Sequence, residues 1–284
     1  MVFLRYKIVK GEKYFYLVKS VWDSKHNTSR QETIKYLGKI SEFTKNDIPV
    51  EYRNNPKVIA FLASDEMISI KEKEQLLSKL KGQLYQYLIT GDFDKIMKIY
   101  DNYSATFGIV SFFEEMLVPV MYHVGDLWEK KEISIADEHV ASNLANMLVK
   151  TIHGKSSKPP TRYKVVICVP EGEQHNLGAN ILEAHLASVG FTVYNLTPSE
   201  PHNSIASFIK SKNPDAVLIS VTLKDMVKSA HRLVKKISQV SNVSIFVGGQ
   251  ALDQNAKFET AQVMLDNLKN LPREIKNARY RKRK

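Results

Sequence analysis

Apolar and polar positions alternate with period two over Val2–Val9. The alternation breaks at Lys10-Gly11-Glu12-Lys13, resumes from Tyr14 to Trp22, and returns over Thr28–Leu37 before Gly38. Alternation punctuated by turn residues predicts a small antiparallel β meander. Three strands with few core positions are marginal alone, so this piece is expected to dock on the rest of the chain or on a partner. Tyr14, Tyr16 and Trp22 recur at even spacing beside Lys13 and Lys19. Even spacing places them on one strand face. The favoured reading makes it the buried face of the meander; stacking on nucleic-acid bases is the alternative.

From Ile59 to Ile152 the period lengthens. Leu76, Leu77, Leu80, Leu84, Tyr87 and Leu88 fall at helical spacing and predict a helix over 74–88. Gly91-Asp92 ends it and caps a short helix, Phe93 to Tyr103. A third helix is expected from Gly108 to Trp128, kinked at Pro119. Ser134, with Asp137 in a capping-box position, starts a fourth that reaches Ile152. Four helices with short joins predict a four-helix bundle. Gly154 to Pro160 is the linker. Its Gly154-Lys155-Ser156 is not a phosphate loop, because Val149 stands where the earlier glycine belongs and a helix precedes it.

Beyond Tyr163, strands expected at 164–169, 191–196, 215–221 and 243–247 alternate with helices at 177–189, 201–211, 225–238 and 252–268. That order predicts a Rossmann-like, doubly wound parallel sheet. The expected fold class is α/β plus all-α. Residues 1–57 form a small basic β domain, 58–153 the bundle, 163–270 the Rossmann-like domain and 271–284 a basic tail.

Composition narrows the function. With 43% hydrophobic and 25% charged residues the chain reads as an ordinary globular protein. Met1 to Lys10 lacks a signal-peptide core, and no unbroken apolar run approaches the roughly 20 residues of a membrane span. A cytoplasmic protein without a membrane partner is expected. The single cysteine, Cys168, rules out an intramolecular disulfide and reads as a buried strand residue. The net charge of +11 sits at the ends: residues 1–57 hold twelve Lys/Arg against six Asp/Glu, and 269–284 hold eight against one. Basic ends suit a DNA or protein partner, with a solvated terminus as the plain alternative for Arg279–Lys284. A homo-oligomer is a further expected form of association.

Two constellations carry candidate chemistry. Glu173-Gln174-His175-Asn176-Leu177-Gly178 lies between an expected strand and an expected helix, and open α/β sheets bind ligands at that edge. A carboxylate two residues before a histidine can hold one ring nitrogen and leave the other for a metal. In the helical segment, Trp128 is followed, after nine intervening residues, by Glu138-His139. A short loop brings such residues to one end of a bundle, where an indole beside a carboxylate and an imidazole suits a planar ligand. Elsewhere the histidines have no His-x-x-x-His or Cys-x-x-Cys spacing, and there is no Gly-x-Ser-x-Gly elbow, so a zinc site and nucleophilic catalysis are not expected.

Together these motifs resemble the cobalamin-binding module of CarH-type photoreceptors, whose relatives include methionine synthase and corrinoid carrier proteins. Ser220-Val221-Thr222 and Gly248-Gly249 fit the same pattern at the ends of the third and fourth strands. The resemblance implies that His175 is the lower axial cobalt ligand and that Glu173 orients it. It further implies that Gly178 lets the nucleotide tail pass and that Ser220, Thr222, Gly248 and Gly249 line its slot. Trp128, Glu138 and His139 would cover the upper face. The implied cofactor is cobalamin, with adenosylcobalamin favoured over methylcobalamin because the upper-face residues suit a large ligand. The implied function is a non-enzymatic sensor or regulator that responds to light and acts on DNA; the alternative is a corrinoid carrier serving methyltransferases. Two departures stand out. The photoreceptors carry a histidine directly after the tryptophan, where this chain has Glu129, and a winged helix-turn-helix where this chain has the β meander.

Overall fold

The computed structural model describes residues 2–9, 12–24, 28–39, 43, 45–64, 70–264 and 268–282. It divides into two compact units, Met1–Val124 and Gly125–Lys284.

In the first unit, β1 (Val2–Val9), β2 (Glu12–Asp23) and β3 (Thr28–Lys39) form an antiparallel sheet in that order. Val2, Leu4, Phe15, Leu17 and Leu37 pack against Ile48 and against Val58, Ile59 and Leu62 of α1 (Pro56–Ser64). Because Phe15 and Leu17 point inward, the intervening tyrosines point outward. The expected burial of Tyr14, Tyr16 and Trp22 is therefore overturned: both tyrosines are only partly buried and Trp22 is 63% exposed. The β2–β3 register slips twice, leaving Leu37 and Ile34 without partners on β2. Both lie in the core. Each slip is a bulge that keeps an apolar residue inward where strict alternation would turn it to solvent.

Then come α2 (Ile70–Thr90), α3 (Phe93–Phe112) and α4 (Val118–Glu129), the last two joined by a π-helical turn, Phe113–Leu117. Asp92 caps α3, its carboxylate accepting from the Lys95 N–H at 3.1 Å. The sharp break is at Gly108 (φ 84°, ψ 167°) rather than at Pro119. Pro119 offers no N–H to the Glu115 carbonyl and its ring crowds that carbonyl. A π turn, Phe113–Leu117, lies immediately before it and gives that carbonyl room. Phe93–Glu129 is long and apolar enough by composition to cross a bilayer. Glu114 and Glu115 sit near its middle, and each such carboxylate costs about 2.5–3.5 kcal/mol at a membrane centre.

The second unit opens with the end of α4 and with α5 (Ile135–Ser156). As expected, Ser134 and Asp137 close a reciprocal capping box on α5. A parallel sheet follows, built from β4 (Lys164–Cys168), β5 (Thr192–Asn195), β6 (Ala216–Ser220), β7 (Ser244–Gly248) and β8 (Gln262–Val263), in the order β5-β4-β6-β7-β8. Alternate residues of the central strands face opposite sides. Val165, Ile167, Leu218 and Phe246 pack against α6 (Leu177–Ser188) and α9 (Leu271–Lys282). Val166, Cys168, Val217, Ile219, Ile245 and Val247 pack against α7 (His202–Lys212) and α8 (Val227–Val240). Helices on both faces make the sheet doubly wound, as expected. Cys168 is fully buried, which pushes its thiol up to about 12.

Over the described residues 252–264, the helix expected at 252–268 does not form. The Asp253 carboxylate accepts from the Asn255 N–H at 2.8 Å, and Ala256 N–H donates to the Asp253 carbonyl at 3.1 Å. Such local bonds compete with helix formation. The chain turns there and adds β8 as an edge strand. The helix comes later, as α9, whose buried Leu271 and Ile275 anchor the start of the segment expected as a basic tail.

Candidate functional site

The loop between β4 and α6 carries Glu173 and His175. Glu173 is fully buried. Its Oε1 accepts from His175 Nδ1 at 2.6 Å and from the His175 N–H at 3.0 Å. Its Oε2 accepts from the N–H groups of Thr222 and Leu223, each at 3.1 Å. One carboxylate thus joins the loop after β4 to the loop after β6. It accepts a hydrogen bond from Nδ1 and so fixes the ring, leaving the Nε2 lone pair free on a side chain that is half exposed. A neutral imidazole with one nitrogen held by a carboxylate is a suitable cobalt ligand.

The electrostatics follow from this geometry. Burial works against the charge of Glu173, but the bonds from the His175 side chain and backbone and from the Leu223 N–H prevail, so its carboxyl titrates below the ordinary value. The bond to Glu173 raises His175 above its ordinary value against its own burial, and the charges of Glu173 and Glu138 add to the effect. Glu138, in the first turn of α5, therefore acts on the His175 imidazole. Its Oε2 lies 2.7 Å from His139 Nδ1, and its Oε1 accepts from Ser142 Oγ at 2.5 Å. His139 is mostly exposed and Trp128, near the end of α4, is 46% exposed.

The glycines are explained by close approaches. A Cβ on Gly178 would lie 2.9 Å from the Oγ of buried Ser220. Gly249 has φ +123° and approaches Val221 so closely that a Cβ would fall 2.3 Å from its carbonyl oxygen. A Cβ on Gly248 would meet the Met264 carbonyl at 2.5 Å. The Gly248-Gly249 pair is thus demanded by the packing of strand ends, whatever else it serves. Thr222 contributes its backbone N–H to Glu173. Glu173, His175, Gly178, Ser220 and Thr222 share one edge of the sheet, with Gly248 and Gly249 at the end of the neighbouring β7.

Two networks escaped the sequence reading. Asn180 donates to Asn146 Oδ1 at 2.8 Å, tying α6 to α5, and Asn195 Nδ2 donates to Asn180 Oδ1 at 3.0 Å and to Glu183 Oε2 at 2.8 Å. Asn180 and Glu183 interrupt an otherwise apolar helix, which is the signal that marks them. The second network fixes the loop before His175. His202 Nε2 accepts from the Glu171 N–H at 3.1 Å, Ser199 Oγ accepts from the Gly172 N–H at 2.7 Å, and Ser229 Oγ donates to the Glu171 carbonyl at 2.9 Å. Burial lowers His202, in keeping with a neutral ring that accepts at Nε2.

Family models described as B12 binding domains match residues 80–152 and 163–266, together more than half of the chain. The HTH-type transcriptional repressor CarH of Myxococcus xanthus is 23% identical over 162 residues, which is 56% of this chain and 54% of that protein. The repressor CarA of the same organism is 22% identical over 127 residues, covering 45% of this chain and 42% of that protein. The chain thus spans about half the length of these repressors. Dimethylamine corrinoid protein 1 of Methanosarcina acetivorans is 23% identical over 189 residues, 64% of this chain and 86% of that protein. In fold, the chain is similar to the monomethylamine corrinoid protein of Methanosarcina barkeri, with a TM-score of 0.58 and 15% identity over 72% of this chain and 98% of that one.

Proposed function

The chain carries a cobalamin-binding module of the CarH and corrinoid-protein family, and from that premise we propose that it is a cobalamin-dependent sensor or regulator. The observation that carries this reading is the Glu173–His175 pair: a buried carboxylate on Nδ1 and a free Nε2 at the edge of a parallel sheet. His175 would hold the cobalt through Nε2 in this account. Gly178 and Ser220 approach closely at the sheet edge, a Cβ on Gly178 falling 2.9 Å from Ser220 Oγ, and in this account the two residues flank the path of the nucleotide tail. Trp128, Glu138 and His139 would cover the upper face: Trp128 lies near the end of α4, and Glu138 and His139, 2.7 Å apart, lie in the first turns of α5. With adenosylcobalamin bound, the cofactor would supply a photolabile cobalt–carbon bond. The protein residues orient the lower ligand and shield the upper one, and a change at the upper position alters packing or oligomeric state, which a DNA or protein partner reads.

The test is to load adenosylcobalamin in darkness, illuminate, and compare absorption spectra and oligomer size. A change in both supports the light-responsive regulator; no change in either removes it.

A second reading is favoured by a specific observation. The similarity covers 86% of dimethylamine corrinoid protein 1 but 54% of CarH. On that reading the chain is a corrinoid carrier that shuttles methyl groups for a methyltransferase. Reducing the bound cobalt and offering methyl donors with candidate methyltransferases discriminates the two: methylation of the reduced protein selects the carrier.

A further inference from the structure

We propose that the outer face of the β1–β2–β3 sheet binds duplex DNA, lying in the major groove. This goes beyond the cobalamin reading and stands without it.

The face is assembled by the pairing register. Arg5, Tyr16 and Tyr36 lie side by side across the three strands, and Lys7, Tyr14 and Lys39 form the adjacent row. Their inward-pointing neighbours, Leu4, Phe15 and Leu17, are committed to the core, so this row of cations and phenols has the opposite side of the sheet. Arg5 and Lys7 are exposed and Tyr36 is 52% exposed. The rings of Tyr16 and Tyr36 pack at 5.1 Å, with the Lys7 ammonium 5.5 Å from the Tyr16 ring. Glu12 is the carboxylate that reaches this row, through Lys39 and the Tyr14 hydroxyl.

Charge and shape select the occupant. A face of cations interleaved with aromatic hydroxyls complements a polyanion that presents both phosphates and base edges. Strands spaced about 4.8 Å apart put the outer backbones of a three-stranded sheet about 10 Å apart. That width matches the roughly 12 Å major groove of B-form DNA; the deep, narrow major groove of A-form RNA would exclude it. Past Val2, the ribbon of β2 and β3 narrows to two strands and carries Trp22 and Gln31 toward its tip, with Gln31 Oε1 accepting from Arg5. β-ribbons are a known means of entering a groove.

The experiment uses the full-length protein without cobalamin and a fluorescein-labelled, mixed-sequence 20-base-pair duplex. Affinity is read by anisotropy between 50 and 200 mM NaCl. The expected result is a steep salt dependence, with the log–log slope reduced by about 2 in the Arg5→Gln/Lys7→Gln double variant. Tyr36→Ala weakens binding and leaves the slope unchanged. Glu12→Gln, which removes the carboxylate beside Lys39, tightens binding; this opposite sign separates a contact effect from loss of folding. Three results would overturn the proposal. One is an unchanged slope in the double variant, with the loss appearing instead in Arg281→Gln/Arg283→Gln/Lys284→Gln. The others are equal affinity for duplex RNA of the same sequence and tighter binding to anionic phosphatidylglycerol vesicles than to the duplex.

Discussion

At the scale of single residues, Glu173 carries the most consequence. It is buried, charged and saturated by four donors, three of them backbone N–H groups. Glu173→Gln replaces one acceptor oxygen with a donor, setting N–H against N–H. Leaving buried donors unpaired costs about 1–3 kcal/mol, and losing the orienting carboxylate should weaken cobalamin binding about 10–100-fold. Thermal melts and titration calorimetry check the two parts; an affinity equal to wild type would contradict the orienting role. The pair also sets a pH dependence. Glu173 titrates below its ordinary value of 4.5, so its contribution to folding is present above that pH and fades as pH falls through its folded value. His175 titrates above 6.5, so its contribution is present below 6.5 and fades as pH rises through its folded value. In cobalamin-free protein, the Tm deficit of His175→Ala relative to wild type is therefore expected to shrink between pH 6.5 and 8.5. A deficit constant over that range would argue against the ion pair. Gly249→Ala, forced into a positive φ and against the Val221 carbonyl, should lower stability by more than 2 kcal/mol or abolish folding.

At the scale of elements, the end of α4 offers a stabilising change. Glu132 N–H donates to the Leu127 carbonyl and Lys131 N–H to the Trp128 carbonyl, at 2.8 and 2.9 Å, while Lys131 holds φ 62°. This is a Schellman ending with lysine at the position glycine prefers. Lys131→Gly is expected to raise stability by about 1 kcal/mol in denaturant melts; a loss would mean that the lysine side chain does more than tolerate the turn. The elements also show what was legible in the sequence. The apolar pattern located β4, β5, β6 and β7 within a residue or so; the central strands β4, β6 and β7 are buried and read as apolar runs, while β5 is a partly buried edge strand placed by its neighbours. The capping box at Ser134 was equally plain, since both of its halves are local. The two bulges of β3 were invisible: alternation assigns a face only while the register holds. The helix expected at 252–268 is replaced over 252–264 by turns because the Asp253 carboxylate takes the Asn255 N–H and the Asp253 carbonyl takes the Ala256 N–H. In the site, Glu173, His175 and Gly178 were readable because they are neighbours in sequence. The Asn146–Asn180–Asn195 chain was not, because its members come from three elements and meet only in the fold.

At the scale of the molecule, the candidate cobalamin motifs and the β1–β2–β3 sheet fall in different units. The motifs lie in Gly125–Lys284, together with the basic C-terminal segment, while Met1–Val124 contains the sheet. Hydrogen exchange should report that division. Cobalamin is expected to slow exchange at 170–178, 220–223 and 248–249 and to leave 2–39 unaffected; protection centred on 2–39 would move the site.

The central claim is the bond between His175 and the metal. The absorption spectrum of the protein mixed with adenosylcobalamin, compared with that of His175→Ala, tests it most directly. The account predicts a histidine-ligated spectrum, with the cofactor's own base displaced, that the substitution abolishes. The same spectrum from both proteins would contradict it.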